Sequence, residues 1–124
     1  MTRMRDPIPK QNNMKTETVV NSLGLKVITQ GSADEFAGVY AGDFLSRAMS
    51  RVTEGDLWIT IMNNVNVIAV ASLTDAAAVI LAEGVEMAPD VTKAALEKDV
   101  TVLSSDKTVY ELCAALDRLI ADMK

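Results

Sequence analysis

From Lys15 onward the apolar residues fall into short runs and stripes, separated by Gly, Asp and Asn, and the period of each run predicts its element. Val19, Val20 and Leu23 share one helical face; Thr16 is placed to cap that helix and Gly24 to stop it. Leu25–Thr29 reads as a short β-branched strand closed by Gln30-Gly31-Ser32, and a second strand is expected over Phe36–Ala41. Gly42-Asp43 then makes a turn, with Asp43 as N-cap of a helix carrying Leu45, Ala48, Met49 and Val52. Leu57-Trp58-Ile59-Thr60-Ile61 is apolar on both faces, as strands of a covered sheet are.

Val65–Leu73 is apolar at nearly every position, so its period alone does not separate helix from strand. Asn63 or Asn64 as a cap, together with Ala69 and Ala71, predicts a helix. A helix apolar around its whole circumference must be buried on all sides, or buried against a partner. Ala77–Leu81 follows as a buried strand ended by Glu83-Gly84, and Pro89 starts a helix with Val91, Ala94 and Ala95 inward. Val100–Leu103 is the last strand. Val109, Leu112, Cys113, Leu116, Leu119 and Ile120 form the stripe of a final helix, opened by a Thr108/Glu111 capping box. The order α-β-β-α-β-α-β-α-β-α predicts a single α/β domain: a mostly parallel five-stranded sheet, wound right-handedly, with helices on both faces. Residues 1–14, with Pro7, Pro9, Gln11, Asn12 and Asn13, carry no periodic face and read as a disordered leader before a domain over 15–124.

Composition narrows the chemistry. A chain of 124 residues is one domain, large enough to fold without a disulfide or metal. Its net charge of −5 and scattered basic residues argue against a nucleic-acid partner. No apolar run is long enough for a membrane span, and the first residues lack the apolar centre of a signal peptide. The chain has one cysteine and no histidine, which points to the cytoplasm and removes the commonest general base and metal ligand together. Cys113 lies on the apolar stripe and reads as an inert core residue. Neither a phosphate-binding glycine loop nor a dinucleotide fingerprint is present, so neither a cofactor nor a metal is expected.

If the sheet is parallel, four strand exits share one edge, which is where open α/β sheets bind ligands. Gly42 and Asp43 offer backbone N–H groups and a carboxylate; with Ser46 and Arg47 they also read as an ordinary turn and cap. Asn63 and Asn64, flanked by Thr60 and Asn66, both donate and accept, which suits a nucleobase, sugar or amide. Ser104 and Ser105 precede a helix start that can hold an anion, although Asp106 would repel one. Glu83-Gly84 is the fourth exit. Gly42, Asp43, Asn63, Asn64, Ser104 and Ser105 are the candidate ligand-binding residues, and no catalytic residue is assigned.

The runs Val39-Tyr40-Ala41-Gly42-Asp43-Phe44-Leu45-Ser46, Gly55-Asp56-Leu57-Trp58-Ile59-Thr60-Ile61 and Asn66-Val67-Ile68-Ala69-Val70-Ala71 resemble the small proteins of the DRTGG domain family. The likeness continues through Ala77–Leu81, Ala82-Glu83-Gly84 and Leu103-Ser104-Ser105, and covers Lys15 to Leu119; the eponymous Asp-Arg-Thr-Gly-Gly string is absent. The resemblance implies a fold similar to the N-terminal domain of HPr kinase/phosphorylase. It also implies the regulatory or dimer-forming role that such domains play in phosphate acetyltransferases and beside CBS domains in some pyrophosphatases. The expectation is a non-catalytic, homodimeric module sensing a small polar or nucleotide-like ligand. The alternative is an adaptor for a metabolic or redox enzyme with no small ligand. A carboxylate-only metal enzyme would require Asp43, Glu83 or Asp106 to converge on one ion.

Overall fold

The computed structural model describes residues 13–123. The chain opens with β1 (Met14–Lys15) and α1 (Thr16–Leu23), then forms β2 (Lys26–Thr29), β3 (Glu35–Phe36) and β4 (Gly38–Ala41). Next come α2 (Leu45–Arg51), β5 (Asp56–Thr60), α3 (Val65–Thr74), β6 (Ala78–Leu81), α4 (Pro89–Glu97), β7 (Val102–Ser104) and α5 (Val109–Met123). The main sheet has five strands in the order β2-β7-β6-β5-β4, with β4, β5, β6 and β7 mutually parallel.

Alternation along these strands builds two cores. Leu57, Ile59, Ala78, Ile80 and Leu103 face α1 and α5, where they meet Val19, Leu23, Leu112 and Leu116. Trp58, Val79, Leu81 and Val102 face the other way, onto Ala48 of α2, Val67, Ile68, Val70 and Ala71 of α3, and Val91 and Ala95 of α4. Both faces of β5 and β6 are therefore dry, and polar side chains occur only at the ends of β5, Asp56 and Thr60. The stripe on α5 packs as its spacing requires, and its capping box is formed. Thr108 N donates to Glu111 Oε1 at 2.9 Å, and Glu111 N donates to Thr108 Oγ1 at 3.1 Å. Gly24 closes α1 in the left-handed region (φ 66°), where any Cβ would be strained.

Three expectations need correction, and the strand that makes the sheet mostly rather than wholly parallel is β2. The N-cap of α1 is Lys15; Thr16 is its first residue and sends its N–H to the Asp34 carbonyl at 3.0 Å. Phe36–Ala41 is two strands, because β3 leaves the main sheet to pair with β1 while β4 joins β5. β2 runs antiparallel to β7, tied there by Thr29, whose Oγ1 donates to Val100 O (2.8 Å) and accepts from Val102 N (3.0 Å). The N-cap of α2 is Phe44, with no side-chain cap, because the Asp43 carboxylate is engaged elsewhere. Of the expected leader, residues 1–12 lie outside the described residues, while Met14 is buried in β1 against Phe36. Among the described residues no helix is long and apolar enough to cross a membrane.

Candidate functional site

Because β4 to β7 are parallel, the loops after Ala41, Thr60, Leu81 and Ser104 leave the sheet on one edge. All six candidate residues stand there, and local chemistry fixes each loop. Asp43 Oδ1 accepts from Thr60 Oγ1 at 2.7 Å and from Ile61 N at 3.0 Å, so this carboxylate laces the β4 exit to the β5 exit. Gly42 N donates to Ile59 O (3.1 Å), and Gly42 O accepts from the buried Trp58 Nε1 (3.0 Å), continuing the pairing past the end of β4.

Asn64 caps α3: its Oδ1 accepts from Asn66 N (3.0 Å) and Val67 N (3.3 Å). Capping uses the carbonyl end of the amide, so Asn64 Nδ2 remains as a donor on an exposed side chain. Asn63 is oriented the opposite way. Its Nδ2 donates to Glu86 O at 2.6 Å, which steadies the loop before α4 and leaves Oδ1 as an acceptor. The β6 and β7 exits are zipped together by Ser105 N to Leu81 O (2.9 Å), Gly84 N to Ser105 O (2.9 Å) and Glu83 N to Lys107 O (2.8 Å). Ser105 Oγ accepts from Lys107 N (3.0 Å), which makes Ser105 a turn residue, while Ser104 ends β7 half-buried.

The edge thus presents amide groups, a hydroxyl and an excess of carboxylates. Asp43, Glu83, Glu86 and Asp106 outnumber Arg47 and Lys107, a balance that disfavours a phosphate and suits a neutral or cationic polar group. Among the described residues no three acidic or cysteine side chains converge to hold a metal, so Asp43, Glu83 and Asp106 do not form the carboxylate centre considered above. Cys113 packs against the α1/α5 core, and burial pushes its thiol pKa up, as suits an unreactive side chain.

The opposite edge holds something the sequence did not indicate. A cavity of about 640 Å³ opens where the parallel strands begin, lined by Ser32, Glu54, Ser72, Asp75, Lys98 and Asp99 among others. It forms because the C-terminal ends of α3 and α4 turn back towards the sheet there, Asp75 (φ 56°) and Asp99 (φ 60°) both adopting left-handed backbone. Its wall at Gly31-Ser32 is clipped to Asp99. Ser32 N donates to Asp99 Oδ1 (2.9 Å), Ser32 Oγ donates to Asp99 Oδ2, and Gly31 N donates to Thr101 Oγ1 (2.9 Å). In the sequence these residues carry only turn signals, which give no information about the space between them.

A family model described as the DRTGG domain matches residues 18–119. No curated protein matches the chain by sequence. Among solved structures, the chain is similar to the CBS and DRTGG domains of the regulatory region of Clostridium perfringens pyrophosphatase, crystallised with its activator diadenosine tetraphosphate. The TM-score is 0.73 at 15% identity, over 99% of this chain and 53% of the other. This chain therefore spans about half the length of that regulatory region, and the likeness is one of fold.

Proposed function

The chain belongs to the DRTGG domain family, and from that premise we propose that it is a non-catalytic regulatory module, acting as a homodimer in the cytoplasm, that senses a small polar or nucleotide-like ligand at the edge where β4 to β7 end. The observation that carries the reading is the convergence of four strand exits on that edge, with Asn63 and Asn64 each keeping one end of the amide unspent. Gly42, Asp43, Ser104 and Ser105 stand on the same edge beside them. The excess of carboxylates favours recognition of the base or sugar of a nucleotide over its phosphates. The pyrophosphatase regulatory region, complexed with a dinucleotide activator, supports a nucleotide-like ligand class. The single cysteine, half-buried and unpaired, supports a reducing compartment.

The test is a thermal-shift screen against nucleosides, nucleotides and polar metabolites, repeated on two variants. Asn64→Asp keeps the capping oxygens but removes the Nδ2 donor, so the fold should survive and the ligand-induced shift should fall. Ser72→Leu places a bulky apolar side chain in the wall of the cavity at the opposite edge and should leave the shift unchanged. The reverse pattern would move the site to that cavity.

A second reading is favoured by a separate observation: Phe44, Val65 and Leu73 are large, apolar and exposed on one side of the molecule. Such a patch also suits an adaptor that docks on another protein without any small ligand. Absence of a shift with every ligand class, together with capture of a partner enzyme that Leu73→Asp abolishes, would select it.

A further inference from the structure

The sequence demanded that α3, apolar around its circumference, be covered on all sides, and the fold leaves one side open. Val67, Ile68, Val70 and Ala71 are buried against the sheet, and α2 and α4 flank the helix on either side. The outward line, four residues apart, is Val65, Ala69 and Leu73, with Val65 50% and Leu73 73% exposed. Phe44 (68%) and Met49 (55%) on the α2 side and Leu96 (59%) on α4 extend the apolar exposure to left and right. No charged residue occurs in α3. A solvated helix ordinarily carries charges on its outer face, so this one is built to be desolvated.

We infer that the α2-α3-α4 face is the interface with a second copy of the chain, related by a two-fold axis running along α3. Charge argues for a second copy and then for this axis. The chain as a whole is at −5, which opposes self-association, but the three helices hold three basic side chains (Arg47, Arg51, Lys93) and two acidic ones (Asp90, Glu97). The face is thus nearly neutral and can meet itself without that penalty. Its charges are also segregated: α2 has only Arg47 and Arg51, and α4 has Asp90 and Glu97 against Lys93. A two-fold along α3 keeps each helix direction and exchanges left for right, so α2 of one copy lies on α4 of the other, basic on net acidic. A two-fold across α3 would lay α2 on its own copy, arginine against arginine. With the first axis Leu73 meets its own symmetry mate, as an isologous contact requires.

The inference rests on the dimeric reading above, and its test separates the two. Sedimentation equilibrium of the full chain across a concentration series should give twice the 13.3 kDa monomer mass. Leu73→Asp removes two facing apolar side chains and opposes two carboxylates. It should raise the dimer dissociation constant on the order of a hundredfold, with an unchanged circular dichroism spectrum because the position is exposed. Arg51→Glu should weaken the dimer, and adding Glu97→Arg should restore it, since the last residues of α2 and α4 lie at the same height and are exchanged across the axis. A wild-type chain that stays monomeric overturns both the dimer and this face. A wild-type dimer untouched by Leu73→Asp overturns the face alone, and failure of the charge swap to rescue overturns the axis.

Discussion

Replacing Asp43 with Ala distinguishes two physical roles for one carboxylate. As a helix N-cap, the role its position before α2 suggests, Asp43 would contribute about 1 kcal/mol regardless of what occupies position 60. The structure gives it different work. Thr60 is fully buried, and its hydroxyl donates to Asp43 Oδ1 at 2.7 Å while accepting from Met62 N at 3.1 Å. Without the carboxylate, the hydroxyl hydrogen loses its charged acceptor. A hydrogen bond to a charged group is worth roughly 1.5–3 kcal/mol. The second bond, from Ile61 N, is on an exposed residue, so water replaces most of it. Asp43→Ala should therefore cost about 2 kcal/mol, dominated by Thr60.

The consequence is a coupling. In a Thr60→Val background no donor is left to strand, and Asp43→Ala should cost only about 0.5 kcal/mol, the part that comes from Ile61. The cycle should thus show an interaction of about 1.5 kcal/mol, well above the ~0.5 kcal/mol within which independent sites add. Urea unfolding followed by Trp58 fluorescence is the natural assay, since that indole is buried and bonded to Gly42 next to the substitution. With a slope of about 2 kcal/mol per molar, the single variant should lose about 1 M in midpoint. Equal costs in both backgrounds would refute the lacing of β4 to β5 by Asp43 and restore the capping role.

Two further outcomes test the opposite edge. A Cβ on Gly31 would lie 2.6 Å from the Asp99 carbonyl oxygen, a backbone atom that cannot step aside cheaply, so Gly31→Ala should destabilise by roughly 1–3 kcal/mol in the same urea assay; an unchanged midpoint would show the 30–33 loop to be loose. The side-chain and backbone hydrogen bonds from Ser32 hold the Asp99 carboxyl below its ordinary value. Their contribution to stability is therefore present above the unfolded pKa of about 3.9 and is lost as the pH falls through the lower folded value. Ser32→Ala should move the Asp99 titration, followed by NMR, upwards and shrink the acid limb of the stability curve. An unmoved titration would deny the clip.

Elements whose signal is local were legible. The Thr108/Glu111 box and the spacing from Leu112 to Ile120 specify α5 without any other part of the chain, and Asn64 with its following alanines does the same for α3. Strand direction is different in kind. Lys26–Thr29 has the composition of a strand, but hydrophobic period carries no sense of orientation; β2 is turned antiparallel by its pairing with β7, which Thr29 secures through bonds to Val100 and Val102 some seventy residues away. The split between β3 and β4 is equally non-local, since Phe36 leaves the run only because Met14 offers it a partner. The cavity at the strand starts depends on how two helix ends stop, a matter of backbone at Asp75 and Asp99 that side-chain pattern does not encode.

That the four strand exits share one edge follows from parallel order alone, yet the residues there do not divide into structural and binding ones, and the geometry explains why. An amide has two ends. Asn64 spends Oδ1 on the cap of α3, and Asn63 spends Nδ2 on the Glu86 carbonyl, so each is a structural residue at one atom and a candidate ligand contact at the other. Asp43 is less divisible, because one oxygen holds both the Thr60 hydroxyl and the Ile61 N–H and the whole group is fixed by them. Substitution to alanine at any of the three removes both roles at once and would be read as whichever is assayed. Isosteric changes that alter one end, Asn64→Asp foremost, are the ones that separate a loop held in shape from a loop that holds a ligand.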